Sequence, residues 1–497
     1  ILSEDQFASR SYLWRSAFGG YVCGVAWYLV NCYWIYATMH IYGGIGPIAS
    51  CGILLLYSLV LGLYFGVFGL LIALTRQVSR SPAKALLLAP IYWVALEFAA
   101  SRITCVPWDQ LGYSQVDNFL LTRLAPVTGV YGISFVLMAG NAMFAAALLT
   151  CPFSRRLRFG FGALLFAGGL QLGLFLTPPP APVEATAVLL QQNLDVNQSN
   201  DWDGPEWDRH TAEFVALSLK TCGPYFAGMP EPHPKLVVPE CPVPPRKPDL
   251  VAWPESPSPF READPRFQRL MSELTREADS PAVVGNIGTW YHDGGLQIFN
   301  SAEFVAPDGR FLGRYDKIHL VPFGEYVPYK GLIAFAGTLT QGVGNFSRGG
   351  LRKVFTAKGH TFGVFVCYEA VFADEVRHFA KNGAQVLVNI SDDGWYGDTS
   401  APWQHFNMAR MRAIENHRWL LRATNSGVTA AVDPFGRVTQ SAPRHVMTSL
   451  AVHYGYRSDI TFYTRYGDVF AKLCAIIAIA AVAQTLRLLN RRGMKSS

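Results

Sequence analysis

The chain has 497 residues, of which 50% are hydrophobic and only 16% charged, and its mean hydropathy is +0.18. This composition is too apolar for an ordinary soluble protein and indicates a membrane protein. The net charge of +6 is small for this length, and the basic residues form short clusters beside apolar stretches, which disfavours nucleic-acid binding. The nine cysteines include no CxxC pair and no Cys/His set with zinc spacing, so most are interpreted as small core residues.

Long uncharged apolar runs predict membrane-spanning helices, because a span needs about 20 apolar residues to cross the hydrocarbon layer. Six such runs lie near residues 17–40, 46–74, 83–101, 126–150, 159–177 and 468–487. The last run contains Lys472, whose long side chain could reach an interface. The alternative interpretation, buried helices of a soluble protein, is disfavoured.

Four clusters of basic residues predict the orientation of these spans. They are Arg10 and Arg15; Arg76, Arg80 and Lys84; Arg155, Arg156 and Arg158; and Arg487, Arg491, Arg492 and Lys495. Threading six spans places all four clusters on one side, which by the positive-inside rule is the cytoplasm. The loops at 41–45 and 102–125 and the segment at about 178–465 are therefore predicted to lie outside the cytoplasm.

The pattern changes after Pro178, where a PPPAP linker is followed by short β-rich runs that alternate with charged helical stretches. This alternation predicts an α/β domain over 178–465, which is long enough to bury its own core. The domain is expected between a transmembrane region at 1–177 and a C-terminal span with a basic tail at 466–497. The proline-rich stretch 221–248 is interpreted as a surface loop, and its Cys222 and Cys241 could form a disulfide or remain two free thiols.

Three segments of this domain carry residues suited to nucleophilic catalysis. Cys367 lies in VFVCYEAVF, where an apolar strand ends, Glu255 lies in AWPES, and Lys317 and Glu325 lie in GRYDKIHLVPFGEYVP. Taken alone, Cys367 is more typical of an inert core thiol, and Glu255 and Lys317 of a surface ion pair. Together the three segments resemble the nitrilase superfamily, which uses a Glu–Lys–Cys triad in this chain order on a four-layer αββα sandwich.

The resemblance implies that Glu255, Lys317 and Cys367 are catalytic, and the chemistry is consistent with these residue types. A thiol with an ordinary pKa near 8.5 needs a base, and a carboxylate held close to it can take its proton. The fixed positive charge of Lys317 would favour the thiolate. With the backbone N–H of Tyr368, Lys317 could also stabilise the oxyanion of a tetrahedral intermediate.

Further stretches, spread over nearly the whole chain, narrow the resemblance to the apolipoprotein N-acyltransferase family. They are YWIY at 33–36, VPWDQLGYSQ at 106–115, GVYGISF at 129–135, LVPFGEYVP at 320–328, DDGWYGDTSAPWQHFNMARMRAIENHR at 392–418, RATNSGVTAAVDPFGR at 422–437 and TFYTRYGDVFA at 461–471. The resemblance implies a multi-pass enzyme of the bacterial inner membrane with a periplasmic catalytic domain.

The same resemblance implies the substrates and further site residues. Cys367 would take a fatty acyl chain from a membrane phospholipid as a thioester and pass it to the N-terminal amine of a diacylglyceryl-cysteine apolipoprotein, the final step of lipoprotein maturation. Glu325, Tyr368 and Glu369 match acidic and Tyr-Glu positions on which the family depends, although structural support is an alternative role for them.

Tryptophans near the entrance of the family's active site also have matches here. Trp395 in DDGWYG matches one, either Trp202 or Trp207 matches a second, and Trp108 beside GYSQ sits on a loop predicted to be extracytoplasmic. Each is a candidate for guiding substrate, and interfacial anchoring is the alternative for all of them.

The chain departs from the family pattern in three places. The family has eight spans and this chain shows six, so the missing pair is expected to precede Ile1. The 221–248 insertion is unusual, and Asp392 replaces a more usual asparagine, which puts the loop geometry there in doubt.

Two other functions remain open at this point. A membrane-tethered nitrilase-type amidase would share the triad, and a transporter with an accessory domain would use ionisable residues within its spans, of which Glu97, His40 and Lys472 are the few present. No cofactor or metal is predicted, and the glycine-rich 342–350 lacks a P-loop lysine and serine and is interpreted as a loop.

Overall fold

A computed structural model describes residues 10–150, 153–196, 205–255, 260–292, 295–326 and 345–496. The chain divides into two compact units. The first, here called the helical unit, comprises Ile1–Tyr36, Gly46–Pro178 and Tyr466–Ser497. The second, the α/β unit, comprises Ala37–Ile45 and Pro179–Arg465.

The helices follow in chain order. They are α1 Arg10–Asn31, α2 Trp34–Ala37, α3 Pro47–Ser79, α4 Pro82–Ile103, α5 Phe119–Thr122, α6 Ala125–Thr128, α7 Val130–Thr150, α8 Phe153–Gln171, α9 Pro205–Ser218, α10 Pro265–Ala278, α11 Ala373–Lys381, α12 Ala401–Asn416, α13 Phe462–Tyr466 and α14 Val469–Ser496. A five-residue π-helical segment, Thr38–Tyr42, follows α2.

Five helices of the helical unit are long and apolar enough to cross a membrane among the residues that the structure describes. They are α3, α4 and the segments Val130–Leu149 of α7, Arg156–Phe175, which starts in α8, and Val469–Arg491 of α14. The span predicted at 17–40 is not one continuous helix, because α1 ends at Asn31 and the chain then turns through α2 and the π-helical segment. Its arginines at 10 and 15 also lower the hydropathy of α1.

Proline and serine fix the junction between two of these helices. Both α3 and α4 begin with proline, which lacks the N–H that a first helical turn cannot use. Between them, Arg80 adopts a left-handed conformation that ends α3, and the Ser81 hydroxyl accepts a hydrogen bond from the Lys84 N–H at 3.4 Å. The short turn at 80–81 therefore sends the chain directly into the next helix.

The α/β unit contains two sheets. Its strands are β1 Ala185–Gln191, β2 Tyr225–Ala227, β3 Lys235–Val237, β4 Leu250–Ala252, β5 Ala282–His292, β6 Gly295–Val305, β7 Phe311–Asp316, β8 Val354–Ala357, β9 His360–Val366, β10 Val386–Ser391, β11 Trp419–Thr424, β12 Ala430–Val432, β13 Val438–Ser441 and β14 Thr448–Tyr454. One sheet has the order β14-β1-β4-β5-β6-β7 and the other β3-β2-β13-β12-β11-β10-β9-β8.

The sheets pack face to face through a shared apolar core. Leu189 of β1 and Phe304 of β6 belong to the same buried cluster as Val364 of β9 and Val388 of β10, and all four are fully buried. Apolar faces of α11 and α12 join this cluster, while α9 and α10 pack on the first sheet through a second cluster that contains Trp253. The unit is thus the predicted four-layer αββα sandwich, and it precedes the last apolar helix, α14.

The loop predicted at 221–248 contains the short strands β2 and β3, which extend the eight-stranded sheet. Cys222 and Cys241 are joined by a disulfide, with Cα atoms 5.7 Å apart. Of the two states left open by the sequence, the structure has the bridge.

Candidate active site

Cys367 lies at the end of β9, where the strand passes into a 3₁₀ turn, Cys367–Val371. Its φ is +48°, in the left-handed region that residues other than glycine seldom adopt. Strands β9, β10 and β11 are parallel, so their carboxyl ends meet at the same edge of the sheet. The thiol is therefore held at a strand end beside the segment that follows β10, and the residue is only 6% exposed.

The carboxylate of Glu369 holds the turn that carries Cys367. Its Oε2 accepts a hydrogen bond from the Val366 N–H at 2.8 Å. Its Oε1 accepts hydrogen bonds from the Tyr315 hydroxyl at 2.7 Å and from the backbone N–H groups of Ile318 and His319 at 2.7 and 3.2 Å. Glu369 thereby ties the turn that carries Cys367 to the chain that follows Lys317.

Lys317 is buried between two carboxylates. Its ammonium Nζ donates to Glu255 Oε1 at 3.2 Å and to Glu325 Oε1 at 2.9 Å. The amide of Asn300 donates to the same two oxygens, at 2.6 and 2.5 Å. Burial by itself would lower the pKa of Lys317, but the charges of Glu255 and Glu325 raise it well above its ordinary value, so the lysine is a fixed cation.

The charges of Glu255 and Lys317 both act on the Cys367 thiol. Burial raises the thiol pKa and the Glu255 charge raises it further, while Lys317 lowers it. The net direction is upward, so the resting residue is a neutral thiol rather than the thiolate that Lys317 alone would favour. The Oε2 atom of Glu255 accepts a hydrogen bond from the Asp392 N–H at 3.0 Å, which fixes the position of this carboxylate.

A second buried network supports the turn from the other side. His405 Nε2 hydrogen-bonds to the Cys367 carbonyl oxygen at 3.1 Å, and His405 Nδ1 lies 2.8 Å from Asp393 Oδ1. The Arg422 guanidinium donates to Asp393 Oδ2 at 2.7 Å. Burial would raise the pKa of Asp393, but the charges of Arg422 and His405 hold it well below its ordinary value, so the carboxylate stays ionised.

The structure brings together six of the residues selected from the sequence. Lys317 hydrogen-bonds to Glu255 and to Glu325. The other three, Cys367, Tyr368 and Glu369, lie together in the 3₁₀ turn. The Tyr368 side chain is 6% exposed, and its ring meets Phe372 edge to face at a centroid distance of 5.2 Å.

The tryptophans have different surroundings. Trp395 follows β10 and is 47% exposed, whereas Trp108 lies in the helical unit and is only 3% exposed. Trp207, one of the two early candidates, is buried against Phe260 at a centroid distance of 5.5 Å and belongs to the core below α9 and α10. The other, Trp202, lies outside the described residues.

Sequence reasoning missed Asn300, His405, Asp393 and Arg422. Asn300 stands alone in an apolar strand and gives no signal of a role. The other three lie in the family stretches at 392–418 and 422–437, where a histidine, an aspartate and an arginine amid apolar residues suggest a buried ion network. Within the part of the chain that the structure describes, no group of three His, Cys, Asp or Glu side chains is arranged to hold a metal ion.

Two family models match this chain. The model for carbon-nitrogen hydrolases matches residues 236–452, and the model for the N-terminal domain of apolipoprotein N-acyltransferase matches residues 6–143. The solved structure of Saccharomyces cerevisiae Nit3, a member of branch 10 of the nitrilase superfamily, covers 55% of this chain and 91% of its own, with 17% identity and a TM-score of 0.40.

Curated relatives match over nearly the full length. The apolipoprotein N-acyltransferase of Geobacter metallireducens is 35% identical over 482 residues, which is 95% of this chain and 87% of the relative. That of Methylococcus capsulatus is 30% identical over 483 residues, which is 95% of this chain and 88% of the relative. The chain therefore belongs to the apolipoprotein N-acyltransferase family and is a membrane N-acyltransferase of lipoprotein maturation.

Proposed function

We propose that Cys367, assisted by Glu255 and Lys317, takes a fatty acyl group from a membrane phospholipid and transfers it to the N-terminal amine of a diacylated apolipoprotein. The observation that carries this proposal is the buried ion cluster in which Lys317 Nζ lies 3.2 Å from Glu255 and 2.9 Å from Glu325. A neutral thiol, a carboxylate base and a fixed cation together are what a cysteine acyl carrier needs.

In the first half of the reaction, Glu255 accepts the Cys367 proton as Sγ attacks the ester carbonyl carbon of the phospholipid. The oxygen of that carbonyl becomes negative, and the Lys317 ammonium and the Tyr368 N–H stabilise it. The intermediate collapses to the thioester, and the departing lysophospholipid oxygen takes the proton from Glu255. Glu255 is then an ionised carboxylate again, as it was before the reaction.

In the second half, the neutral amine of the acceptor attacks the thioester carbonyl. Glu255 accepts a proton from the nitrogen, the C–S bond breaks, and the sulfur recovers the proton as the amide is released. Glu325 and Asn300 act on this chemistry only through Glu255 and Lys317, whose positions they fix through the contacts at 2.5 to 2.9 Å. They are positioning residues.

We further propose that the α/β unit lies on the extracytoplasmic side of the membrane. The basic clusters beside the apolar helices support this orientation, since cytoplasmic loops carry the excess of lysine and arginine. The disulfide between Cys222 and Cys241 supports it independently, because such bonds persist in oxidising compartments outside the cytoplasm.

Intact mass spectrometry of the purified enzyme after incubation with phospholipid tests the proposal. Wild type is expected to gain the mass of one fatty acyl group, which hydroxylamine removes because it cleaves thioesters, and Cys367→Ser is expected to gain none. Addition of a diacylated lipopeptide should then discharge the wild-type adduct into a triacylated product.

Cys105→Ser is the matched control, because Cys105 is an exposed cysteine of the helical unit that lies outside the disulfide. This variant should form the adduct at the wild-type rate. An equal adduct on Cys367→Ser would exclude Cys367 as the carrier. Release of free fatty acid as fast as acylation of the lipopeptide would favour a hydrolase over a transferase.

A further inference from the structure

The helical unit contains a cavity of about 410 Å³ that the proposed mechanism does not use. Its walls come from α1, α3, α4, α7 and the loop that follows α4. This volume lies within the range of small-ligand sites. Seven aromatic side chains line it, namely Trp27, Tyr28, Tyr64, Phe65, Phe68, Trp93 and Trp108.

Two carboxylates also line the cavity. Glu97 of α4 accepts hydrogen bonds at Oε1 from the Trp93 indole N–H and the Leu111 N–H, both at 2.9 Å, while its Oε2 is buried without a hydrogen-bond partner. Asp109, in the loop after α4, accepts a hydrogen bond at Oδ2 from the Trp27 indole N–H at 2.6 Å. Both carboxyl groups therefore have only neutral donors in the hydrogen bonds that hold them.

Neither carboxylate has a basic partner among the residues that the structure describes. Across the described ranges, no lysine, arginine or histidine forms a salt bridge with Glu97 or Asp109. Burial raises the pKa of Asp109 to about 6, which still leaves this carboxyl largely ionised at neutral pH. Uncompensated anions in an apolar surround are costly, and a bound cation removes that cost.

A neutral hydrogen-bond donor also lines the cavity. Gln110 is 8% exposed, lines the cavity, and its amide Nε2 is buried without a hydrogen-bond partner. An amide N–H₂ group can only donate at nitrogen, so it requires an oxygen acceptor. The cavity thus presents acceptors for a cation, aromatic faces that favour a cation, and a donor for an adjacent oxygen.

We propose that this cavity binds the primary ammonium group of a lipid, with Glu97 and Asp109 as counter-charges and Gln110 as donor to a nearby phosphate or carbonyl oxygen. The inference rests on the proposed function, in which two ligands carry such a group. One is the head group of an aminophospholipid donor, and the other is the N-terminal cysteine of the acceptor, whose α-amine would bind here as an ammonium before it loses a proton and reacts at Cys367.

The test measures the two half-reactions separately, with Glu97→Gln and Asp109→Asn in the full-length enzyme. Acyl-adduct formation is followed with subsaturating phosphatidylethanolamine and, in parallel, with phosphatidylglycerol carrying the same acyl chains. Discharge of the preformed adduct is followed with a subsaturating diacylated lipopeptide. Loss of one charged contact is expected to slow the affected step about tenfold.

Slower adduct formation with phosphatidylethanolamine alone supports the proposal and assigns the ammonium to the donor. Unchanged adduct formation with slower discharge supports it and assigns the ammonium to the acceptor. Rates within twofold of wild type in every arm overturn the proposal, as does an equal loss with both lipids, which indicates a structural role. A wild-type enzyme that forms no adduct with either lipid refutes the proposed function instead.

Thr75→Val is the matched control. The Thr75 hydroxyl is buried in the same unit and hydrogen-bonds to the Tyr92 hydroxyl at 2.9 Å, but neither residue lines the cavity. This variant should retain both rates. Because Glu97→Gln and Asp109→Asn alter separate elements, a folding defect in one, detected by thermal unfolding, leaves the other to decide.

Discussion

One buried cluster in each unit of this enzyme shows how differently the same chain can hold buried charge. In the α/β unit the buried cation Lys317 sits between two carboxylates, and Asp393 is paired with Arg422 at 2.7 Å. In the helical unit Glu97 and Asp109 face a cavity with neutral hydrogen-bond donors as their partners.

The difference separates groups that are set for chemistry from groups that await a ligand. A compensated ion cluster holds its geometry without help, and preorganised charge of this kind is what stabilises a transition state. An uncompensated carboxylate is destabilising until a counter-charge arrives, so it favours binding. Four predictions test how far the compensation in the α/β unit extends.

The largest effect is expected for Glu255→Gln, which removes the base and keeps the shape. Lys317 retains Glu325 as a counter-charge, so folding should persist while the rate of adduct formation falls about 10²–10⁴-fold. Single-turnover mass spectrometry measures this rate. Glu277→Gln, an exposed substitution on α10, should leave it unchanged, and a wild-type rate in Glu255→Gln would show that another group takes the proton.

Lys317→Met should destabilise the fold most, because it leaves Glu255 and Glu325 buried without their cation. Breaking a buried pair on one side costs about 3–5 kcal/mol. Thermal unfolding measures the loss. Adding Glu325→Gln to Lys317→Met should recover part of it, since one carboxylate then remains instead of two. If the double variant is less stable than the single one, repulsion between the carboxylates is not the cause.

Glu369→Gln should cost about 3 kcal/mol in stability and also lower kcat. The amide oxygen can replace Oε1, which accepts three of the four hydrogen bonds, but the amide NH₂ then faces the Val366 N–H without an acceptor, so the turn that carries Cys367 loosens. Steady-state kinetics should show the loss in kcat with KM for the lipopeptide within twofold. A large rise in KM with an unchanged kcat would place Glu369 in substrate binding instead of positioning.

The smallest effect is expected for Asp392→Asn, which tests a buried carboxylate of the α/β unit that accepts hydrogen bonds from neutral donors and not from a basic side chain. Asp392 Oδ1 accepts from the Gly394 N–H and the Asn425 amide at 2.9 and 3.1 Å, but Oδ2 is buried without a partner. Burial raises the pKa of Asp392 well above its ordinary value. The unfolded carboxyl ionises near pH 3.9, so wild-type stability should fall as pH rises from that point toward the folded pKa.

The asparagine side chain does not titrate, so the variant does not lose stability in this way as the pH rises. Its Tm should therefore exceed that of wild type at pH 8, by an amount corresponding to about 1 kcal/mol, and the difference should vanish near pH 3.5. Melting curves across this pH range provide the measurement. A variant that is less stable than wild type at pH 8 would mean that the carboxylate is ionised and paired in the folded enzyme.

Much of the architecture could be predicted from the sequence. Apolar runs of about 20 residues mark five of the helices, because length and composition alone decide whether a helix can cross a bilayer. The αββα sandwich followed from the resemblance carried by the segments around Glu255, Lys317 and Cys367. The first span was misjudged, because hydropathy does not show that the helix ends at Asn31 and a π-helical segment joins the other unit.

The sequence by itself determined that the chain is a membrane protein with an α/β domain, and its resemblance to a known family selected the thiol, carboxylate and amine that are proposed as a triad. These conclusions rest on residue types, their order and their local patterns. Only the tertiary structure decided that Asn300 and His405 support the site, that the Cys367 thiol is neutral at rest, and that Trp108 lines a cavity with Glu97. Burial and contacts between residues far apart in the chain decide these properties, and neither exists until the chain is packed.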